Sequence, residues 1–159
     1  MDMPDSSARS QDVDRVASAL VAVLPVLQRS LERHVGREFP HPRLPEGQLA
    51  LLFLVEEREG VTVRESAEAL LMKPNNVSAL VSQLTELGLL ERRQDAADKR
   101  VAHLFPTATA RERLAEARLL KEGRVARALH TLTDGDLDAL GAALGALTSL
   151  SGHLRTPAG

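Results

Sequence analysis

The sequence predicts a mostly α-helical protein with a small β-hairpin: a winged helix-turn-helix flanked by long N- and C-terminal helices. Three observations predict it. Two short helical segments are joined by the tight turn Leu71-Met72-Lys73, with Pro74 opening the second. That is the helix-turn-helix unit, and proline costs nothing at a first helical position. Two strand-like runs follow at once, 89–93 and 100–105, around the polar turn Gln94-Asp95-Ala96-Ala97-Asp98-Lys99. Finally, apolar residues recur at three- and four-residue steps near both ends of the chain, the signature of amphipathic helices.

Composition agrees with a helical reading. Hydrophobic residues make up 43% of the 159, but aromatics only 2%, all Phe. A core of Leu, Val and Ala suits helices better than sheets. The length fits one domain, or a small domain with an appended helical dimerisation region. There is no Cys, which excludes a disulfide framework, a thiolate metal site and a thiol redox switch. No apolar run approaches the roughly 18 residues that a membrane span needs. The start, MDMPDSSARSQDVDR, lacks the apolar core of a signal peptide, so the expected location is cytoplasmic, with no membrane partner. The net charge is −2, so any DNA-binding surface must come from local clustering of charge.

Taken in order, residues 1–10 read as disordered. Residues 11–45 form an N-terminal dimerisation helix and loop. The helix carries Val13, Val16, Ala17, Leu20, Val23, Leu24, Leu27, Leu31 and Val35, with Pro25 expected to kink it. FPHPRLP (39–45) is a loop. Residues 46–106 are the winged helix-turn-helix. In its first helix, Glu46–Glu57, Leu49, Leu51, Leu52, Leu54 and Val55 face inward, and Glu59-Gly60 ends it. Thr62-Val63-Arg64-Glu65 is a capping box opening a helix from Val63 to about Leu70. The next helix runs from Pro74 to Leu87 with Val77, Leu80, Val81, Leu84 and Leu87 inward, and Gly88 stops it. Residues 107–153 form the C-terminal dimerisation helices. One spans 108 to about 129, with Leu114, Ala117, Leu120 or Lys121, Val125 and Ala128 on a face. The last is capped by Thr133, carries Leu137, Leu140, Ala143, Leu144, Leu147 and Leu150, and ends near Gly152. Residues 154–159 read as a disordered tail.

This order of elements resembles the MarR family of multiple-antibiotic-resistance-type regulators. The most specific part is Leu84-Thr85-Glu86-Leu87-Gly88-Leu89-Leu90-Glu91-Arg92 running into Asp95-Ala96-Ala97-Asp98-Lys99-Arg100. It is similar to the family's recognition-helix end, first wing strand and wing turn. Thr107 falls where a threonine follows the second wing strand. Gly47-Gln48-Leu49-Ala50-Leu51-Leu52 and Thr133-Asp134-Gly135-Asp136-Leu137 are similar to the starts of the family's second and last helices. The resemblance implies a homodimer whose first and last two helices interlock. It also implies transcriptional regulation, usually repression, with release by a small-molecule effector. There are departures: Pro106 replaces a leucine, Ala110 a glycine and Ala79 an arginine, and Glu86 and Leu87 stand where basic residues are common.

Candidate DNA-binding residues follow from the docking of a helix in the major groove. On the second helix they are Lys73, Asn75, Asn76, Ser78, Ser82 and Gln83, around Ala79. Asn and Gln pair bidentately with adenine, each good pair giving about 1–3 kcal/mol of discrimination. The alternative is that the two asparagines only solvate the helix start. At the wing, Lys99 and Arg100 could meet the minor groove; the resemblance points to Arg100, with Asp98 holding it by an ion pair. The alternative is a solvated turn of mixed charge. Thr62, Arg64, Arg92 and Arg93 are candidate phosphate contacts. His34, Arg37, Phe39, His41 and Phe53 are candidate walls of an effector pocket, on family analogy.

His34, Glu38 and His41 have metal-like spacing, but Pro40 and Pro42 break the helix and no second paired motif exists, so no metal site and no cofactor is assigned. His103, His130 and His153 read as isolated. No phosphate loop, nucleophile elbow or paired carboxylates mark an enzyme. Two rivals stand beside the DNA-binding reading: a winged-helix protein-interaction module, favoured by the charge-poor recognition helix, and a metal-responsive regulator using His34, Glu38 and His41.

Overall fold

The computed structural model describes residues 6–155. The order is α1 (Ser6–Glu38), α2 (Glu46–Glu57), α3 (Val63–Ala69), α4 (Pro74–Glu86), β1 (Leu90–Gln94), β2 (Ala102–Pro106), α5 (Ala108–Leu129) and α6 (Asp134–Arg155). This is the mostly helical, winged architecture that the sequence predicts. The chain divides into two compact units, Met1–Leu120 and Lys121–Gly159, each described by itself.

In the first unit, α1 is one continuous helix through Pro25. It begins at Ser6, so residues 6–10 are helical where the sequence is read as disordered; residues 1–5 lie outside the described residues. Val13, Val16, Val23, Leu24 and Leu27 are all exposed.

The core sits between α2, α3, α4, the hairpin and the start of α5. Leu51, Val55, Val77, Val81, Leu84, Leu89, Leu104 and Ala110 are all completely inaccessible. Each fully buried Val or Leu side chain contributes about 1.5–3 kcal/mol by leaving water. Two inward assignments are corrected. Leu87 is 50% exposed, because it is the C-cap of α4 and the chain has already left the helix. Gln48 is buried while Leu49 is only half-buried, because Gln48, one turn before Leu51 and Leu52, lies on the inner stripe.

The caps explain the boundaries. Thr62 and Glu65 form the reciprocal capping box. Pro74 stands at the first turn of α4. Gly88, at φ 70°, ends α4: its amide donates to the Thr85 carbonyl and the Leu89 amide to that of Leu84, the paired bonds of a Schellman cap. Leu89 is thereby taken into the cap, so β1 begins at Leu90 rather than 89. Residues 95–101 are closed by Asp95 N–H to Val101 O (2.9 Å) and Val101 N–H to Asp98 O (2.9 Å), which moves the start of β2 from the expected 100 to 102. β1 and β2 pair antiparallel, Leu90 opposite Pro106 and Gln94 opposite Ala102.

α5 spans the expected residues, and Ala110 and Leu114 are its buried positions. Val125 and Ala128, on the face that the sequence marks, are exposed. In the second unit, the Thr133 hydroxyl accepts from the Asp136 amide at 3.2 Å, capping α6 as expected. α6 continues past Gly152 to Arg155; residues 156–159 lie outside the described residues. Leu137, Leu140, Leu144, Leu147 and Leu154 are exposed along it. Among the described residues, no helix is long and apolar enough to cross a membrane.

Candidate nucleic-acid interface

α4 is split lengthwise by its own sequence. Val77, Val81 and Leu84 are buried, which turns Lys73, Asn75, Asn76, Ser78, Ala79, Ser82 and Gln83 outward, all exposed. No side chain caps its N-terminus. Two of the exposed residues are held by neighbours. The buried Gln48 donates its side-chain N–H to Gln83 Oε1 at 2.9 Å, tying α2 to the outer face of α4. Arg92, on β1, donates to Ser82 Oγ at 3.1 Å, and Ser82 passes its own proton to the Ser78 carbonyl at 3.1 Å.

At the start of α3, Thr62 Oγ1 accepts from the Glu65 amide (3.2 Å) and donates to Glu65 Oε2 (2.8 Å). Its single hydroxyl proton is therefore spent within the cap, which makes Thr62 a structural residue before it is a phosphate contact. The Thr62 N–H and hydroxyl hold the Glu65 carboxyl below its ordinary value. Arg64 is exposed and pairs with Glu68, one turn on, at 3.1 Å.

The wing is organised by two aspartates. Asp95 Oδ1 accepts from the amides of Ala97 (2.7 Å) and Asp98 (3.0 Å), an Asx turn. Asp98 accepts from Arg100 three times, from its amide at 3.0 Å, its Nε at 3.2 Å and its Nη2 at 3.4 Å. The ion pair expected from the sequence is therefore formed, and it leaves the Arg100 side chain 91% exposed. Lys99 is exposed beside it. Arg93 is on the strand, its guanidinium 4.2 Å from the Phe105 ring centroid and hydrogen-bonded to Glu91. At the base of the wing, Thr107 donates to the Gly88 carbonyl (2.7 Å) and accepts from Ala110 N–H (3.1 Å), linking the end of α4 to the start of α5. Arg111 bonds Glu59, and that bond holds the Glu59 carboxyl below its ordinary value.

His103, read as isolated, is a connector. Its Nε2 lies 3.0 Å from Asp95 Oδ2 and its Nδ1 2.6 Å from the Gly60 carbonyl. The hydrogen bond from His103, then those from the Asp98 and Ala97 amides, holds the Asp95 carboxyl down to about 2. The signal missed is the hairpin register, which depends on the turn geometry. Gln48 is within reach of sequence reasoning, by counting back one turn from Leu51 and Leu52.

The candidate effector residues lie on α1, on the loop that follows it and on α2. Phe39 and His41 meet edge to face, with centroids 4.9 Å apart. His41 Nε2 lies 2.9 Å from Glu116 Oε2, whereas His34 Nδ1 turns back to the Ser30 carbonyl of its own helix at 2.7 Å. Arg37 is in the last turn of α1, and Phe53 is 44% exposed on α2. Among the described residues, no three His, Asp or Glu side chains converge as a metal site, so the spacing of His34, Glu38 and His41 does not become a ligand set. In the second unit, Ala126, Leu129, His130, Leu132, Asp134 and Leu137 line a hollow of about 310 Å³.

Residues 44–101 match the model of the MarR family. Among solved structures, a provisionally assigned transcriptional regulator protein of Pseudomonas aeruginosa is similar over 89% of this chain and 96% of its own, at 29% identity and a TM-score of 0.74. A Mycobacterium tuberculosis protein is similar over 88% and 94%, at 18% identity and a TM-score of 0.75. A MarR family protein of Bacillus stearothermophilus is similar over 89% and 96%, at 17% identity and a TM-score of 0.70. No curated protein matches significantly.

Proposed function

Residues 44–101 being a MarR-family segment, in a chain with the fold of that family's transcription regulators, we propose that the protein is a sequence-specific DNA-binding regulator. It acts as a homodimer on a pseudo-palindromic operator in the cytoplasm, as a repressor released by a small molecule. Its family and neighbours are transcription regulators rather than enzymes.

One observation carries the reading: the outward face of α4, made of Asn75, Asn76, Ser78, Ser82 and Gln83, stands beside a wing whose Arg100 is held by Asp98 through both Nε and Nη2 and is nonetheless 91% exposed. Asn and Gln read adenine in the major groove. An uncapped helix N-terminus suits a phosphate. An arginine on a hairpin tip suits a narrow minor groove. Arg92, which reaches Ser82 of α4, and the exposed Lys99 on the wing add positive charge; Arg64 and Arg93 are further candidate phosphate contacts, paired here with Glu68 and Glu91. The homodimer is supported by the exposed apolar residues that recur along α1 and α6, since contiguous exposed apolar surface marks interaction sites. Two recognition helices would then enter successive major grooves, roughly 34–36 Å apart. The effector reading rests on family resemblance and the Phe39–His41–Glu116 cluster.

The test is binding to the protein's own upstream intergenic DNA over a salt series, wild type beside Arg100→Ala. A phosphate-contacting protein loses affinity steeply with salt, because bound counterions are released. Tight, salt-sensitive binding that Arg100→Ala weakens is the expected result. No binding at low salt, to that DNA or to a randomised pool, would make the protein-interaction module the better account. That rival draws on a specific feature: between 73 and 86 the recognition helix has a single cation, Lys73.

A further inference from the structure

His103 sits on β2 between two groups that can only accept hydrogen bonds. On one side is the Gly60 carbonyl, 2.6 Å from Nδ1; on the other is the Asp95 carboxylate, 3.0 Å from Nε2. A neutral imidazole has one N–H and one lone pair. It can satisfy either acceptor but must then aim a lone pair at the other. Only the imidazolium donates to both. Gly60 lies just before the capping box of α3, and Thr62 forms an isolated bridge with His103. Asp95 is the residue whose other oxygen organises the wing turn. The ring is therefore a clasp between the entry of the helix-turn-helix and the wing.

We infer that His103 is a positioning residue: its doubly protonated ring fixes the wing to the helix-turn-helix, so DNA affinity falls as pH rises through the titration of this ring. The DNA half of the inference rests on the function proposed above. Loss of the proton breaks the ring's bond to the Gly60 carbonyl or to Asp95. Gly60 N–H to Leu104 O and Leu104 N–H to Val61 O keep the segments paired, so what loosens is Asp95 and, with it, the wing turn that carries Arg100, five residues on.

The surrounding charges favour the protonated ring. Asp95 faces it directly, and Glu65 from α3 adds attraction. Arg58, after α2, acts on Glu65. Arg93 is the register partner of His103 on β1, but its guanidinium lies over Phe105 and bonds Glu91. The hydrogen bond to Asp95, then that to Gly60, raises the ring above its ordinary 6.5. The sign follows: a group raised in the folded state contributes fully below its unfolded value, and the contribution is lost as pH rises through the folded one.

The experiment has two arms on the full chain. Nuclear magnetic resonance without DNA follows the His103 ring and the Thr62, Ala97 and Asp98 amides from about pH 6 to about pH 9, spanning the ordinary imidazole value near 6.5. The expected result is one midpoint above the ordinary value, shared by ring and amides. The second arm measures affinity for duplex DNA over the same range at fixed salt, for wild type, His103→Gln and Asp95→Asn. The side-chain amide introduced by Asp95→Asn keeps a carbonyl oxygen to accept from Ala97 and Asp98, so the turn survives while the charge is gone. Wild type should lose affinity several-fold, and both variants should lose that step. The other histidines are common to all three proteins, so the difference isolates the pair of His103 and Asp95. An ordinary midpoint with unmoved amides, or variants that keep the wild-type step, would overturn the inference. Absence of DNA binding at every pH with the shared midpoint intact would instead sink the function proposed above and the DNA half of this one, leaving the clasp standing.

Discussion

The winged core and the last helix use the same residues to opposite ends. In the core, Leu51, Leu84, Leu89 and Leu104 are shut off from water entirely. On α6, Leu137, Leu140, Leu144 and Leu147 recur at the same helical spacing yet are 37–61% exposed. The core leucines meet α2, α3, α4 and the hairpin, a closed set of neighbours within about sixty residues of chain. The α6 stripe needs surface that the chain by itself does not bring to it. Periodicity therefore reports that a face is apolar, not what covers it. On the dimer reading, the difference also separates two kinds of stability, one intrinsic to the fold and one that depends on concentration.

The largest expected effect breaks the closed side of the comparison. Leu84→Ala removes a completely buried side chain from the centre of the core and should cost about 2–5 kcal/mol, the transfer term plus the residual cavity. Urea unfolding measures it, and a loss within ~0.5 kcal/mol would mean that the core collapses around the gap.

The next effect sharpens the open side. Leu144 is 61% exposed in the single chain, so Leu144→Glu should be nearly neutral if it stays exposed, within about 0.5 kcal/mol as for surface substitutions. If a second copy covers the stripe, the change buries a carboxylate without a partner and should dissociate the pair. We expect dissociation: light scattering should find the variant at the chain mass of 17.2 kDa, with the wild type at twice that mass. Equal masses for the two would remove α6 from the dimer reading.

The two regions also differ in how much of them is legible in the sequence. Local rules are sufficient wherever a cap or a turn residue acts on its own neighbours. The Thr62–Glu65 box, Pro74 at the head of α4, the Gly88 stop, Thr133 at the head of α6 and the Asp98–Arg100 pair are interactions within a few residues, and each is in place. Reading fails where geometry accumulates over distance. The strand bounds shift because Leu89 is spent in a cap and residues 95–101 close a loop of their own. His103 gives no sign of its role because its partners, Asp95 and Gly60, are set by hairpin register and by the approach of two segments 43 residues apart. Phe39 and His41, two of the candidate effector residues, come together, but Glu116, the partner of His41, lies 75 residues away and carries no local signal. Thr62 shows the reverse case: read both as a cap and as a phosphate contact, it has its proton committed to the first role.

Thr62 gives a smaller test of the closed region. Thr62→Ala removes the hydroxyl half of the capping box at the entry of α3, leaving the residue-62 amide bonded to the Glu65 carboxylate, and should cost about 1 kcal/mol. The contribution of the Glu65 carboxylate to that box carries a pH signature. Its value is lowered in the fold, so its stabilisation is present above the ordinary carboxylate value of 4.5 and is lost as pH falls through the lowered one. The gap in unfolding midpoint between wild type and Thr62→Ala should therefore narrow in acid by the share the hydroxyl gives to the carboxylate, and persist by the share in which it accepts from the Glu65 amide. A gap that stays constant from neutral pH into acid would assign the whole loss to the bond from the Glu65 amide.

The smallest effect concerns Leu71, in the turn between α3 and α4. It has φ 53° and is 94% exposed. A left-handed backbone crowds the Cβ against the following carbonyl and costs roughly 1–2 kcal/mol for an ordinary residue. Against this cost Leu71 gains almost no burial, because nearly all of its side chain stands in water. Asn adopts the same backbone more readily, through local hydrogen bonds. It avoids the extra freedom that Gly would give the unfolded chain. Leu71→Asn should therefore stabilise the fold by about 0.5–1 kcal/mol, which raises Tm by about 1–4 °C in a chain of this size. Calorimetry at fixed protein concentration reads the shift, and binding to the upstream DNA is measured on the same sample. A higher Tm with unchanged affinity would mark the leucine as a tolerated strain in the tightest turn of the closed region. A higher Tm with weakened binding would mean that the strain is retained because Leu71 touches the duplex, as an exposed apolar group at the head of the recognition helix could. A lower Tm would mean that the turn derives support from the leucine, and the contrast between closed and open regions would then have to be redrawn at this residue.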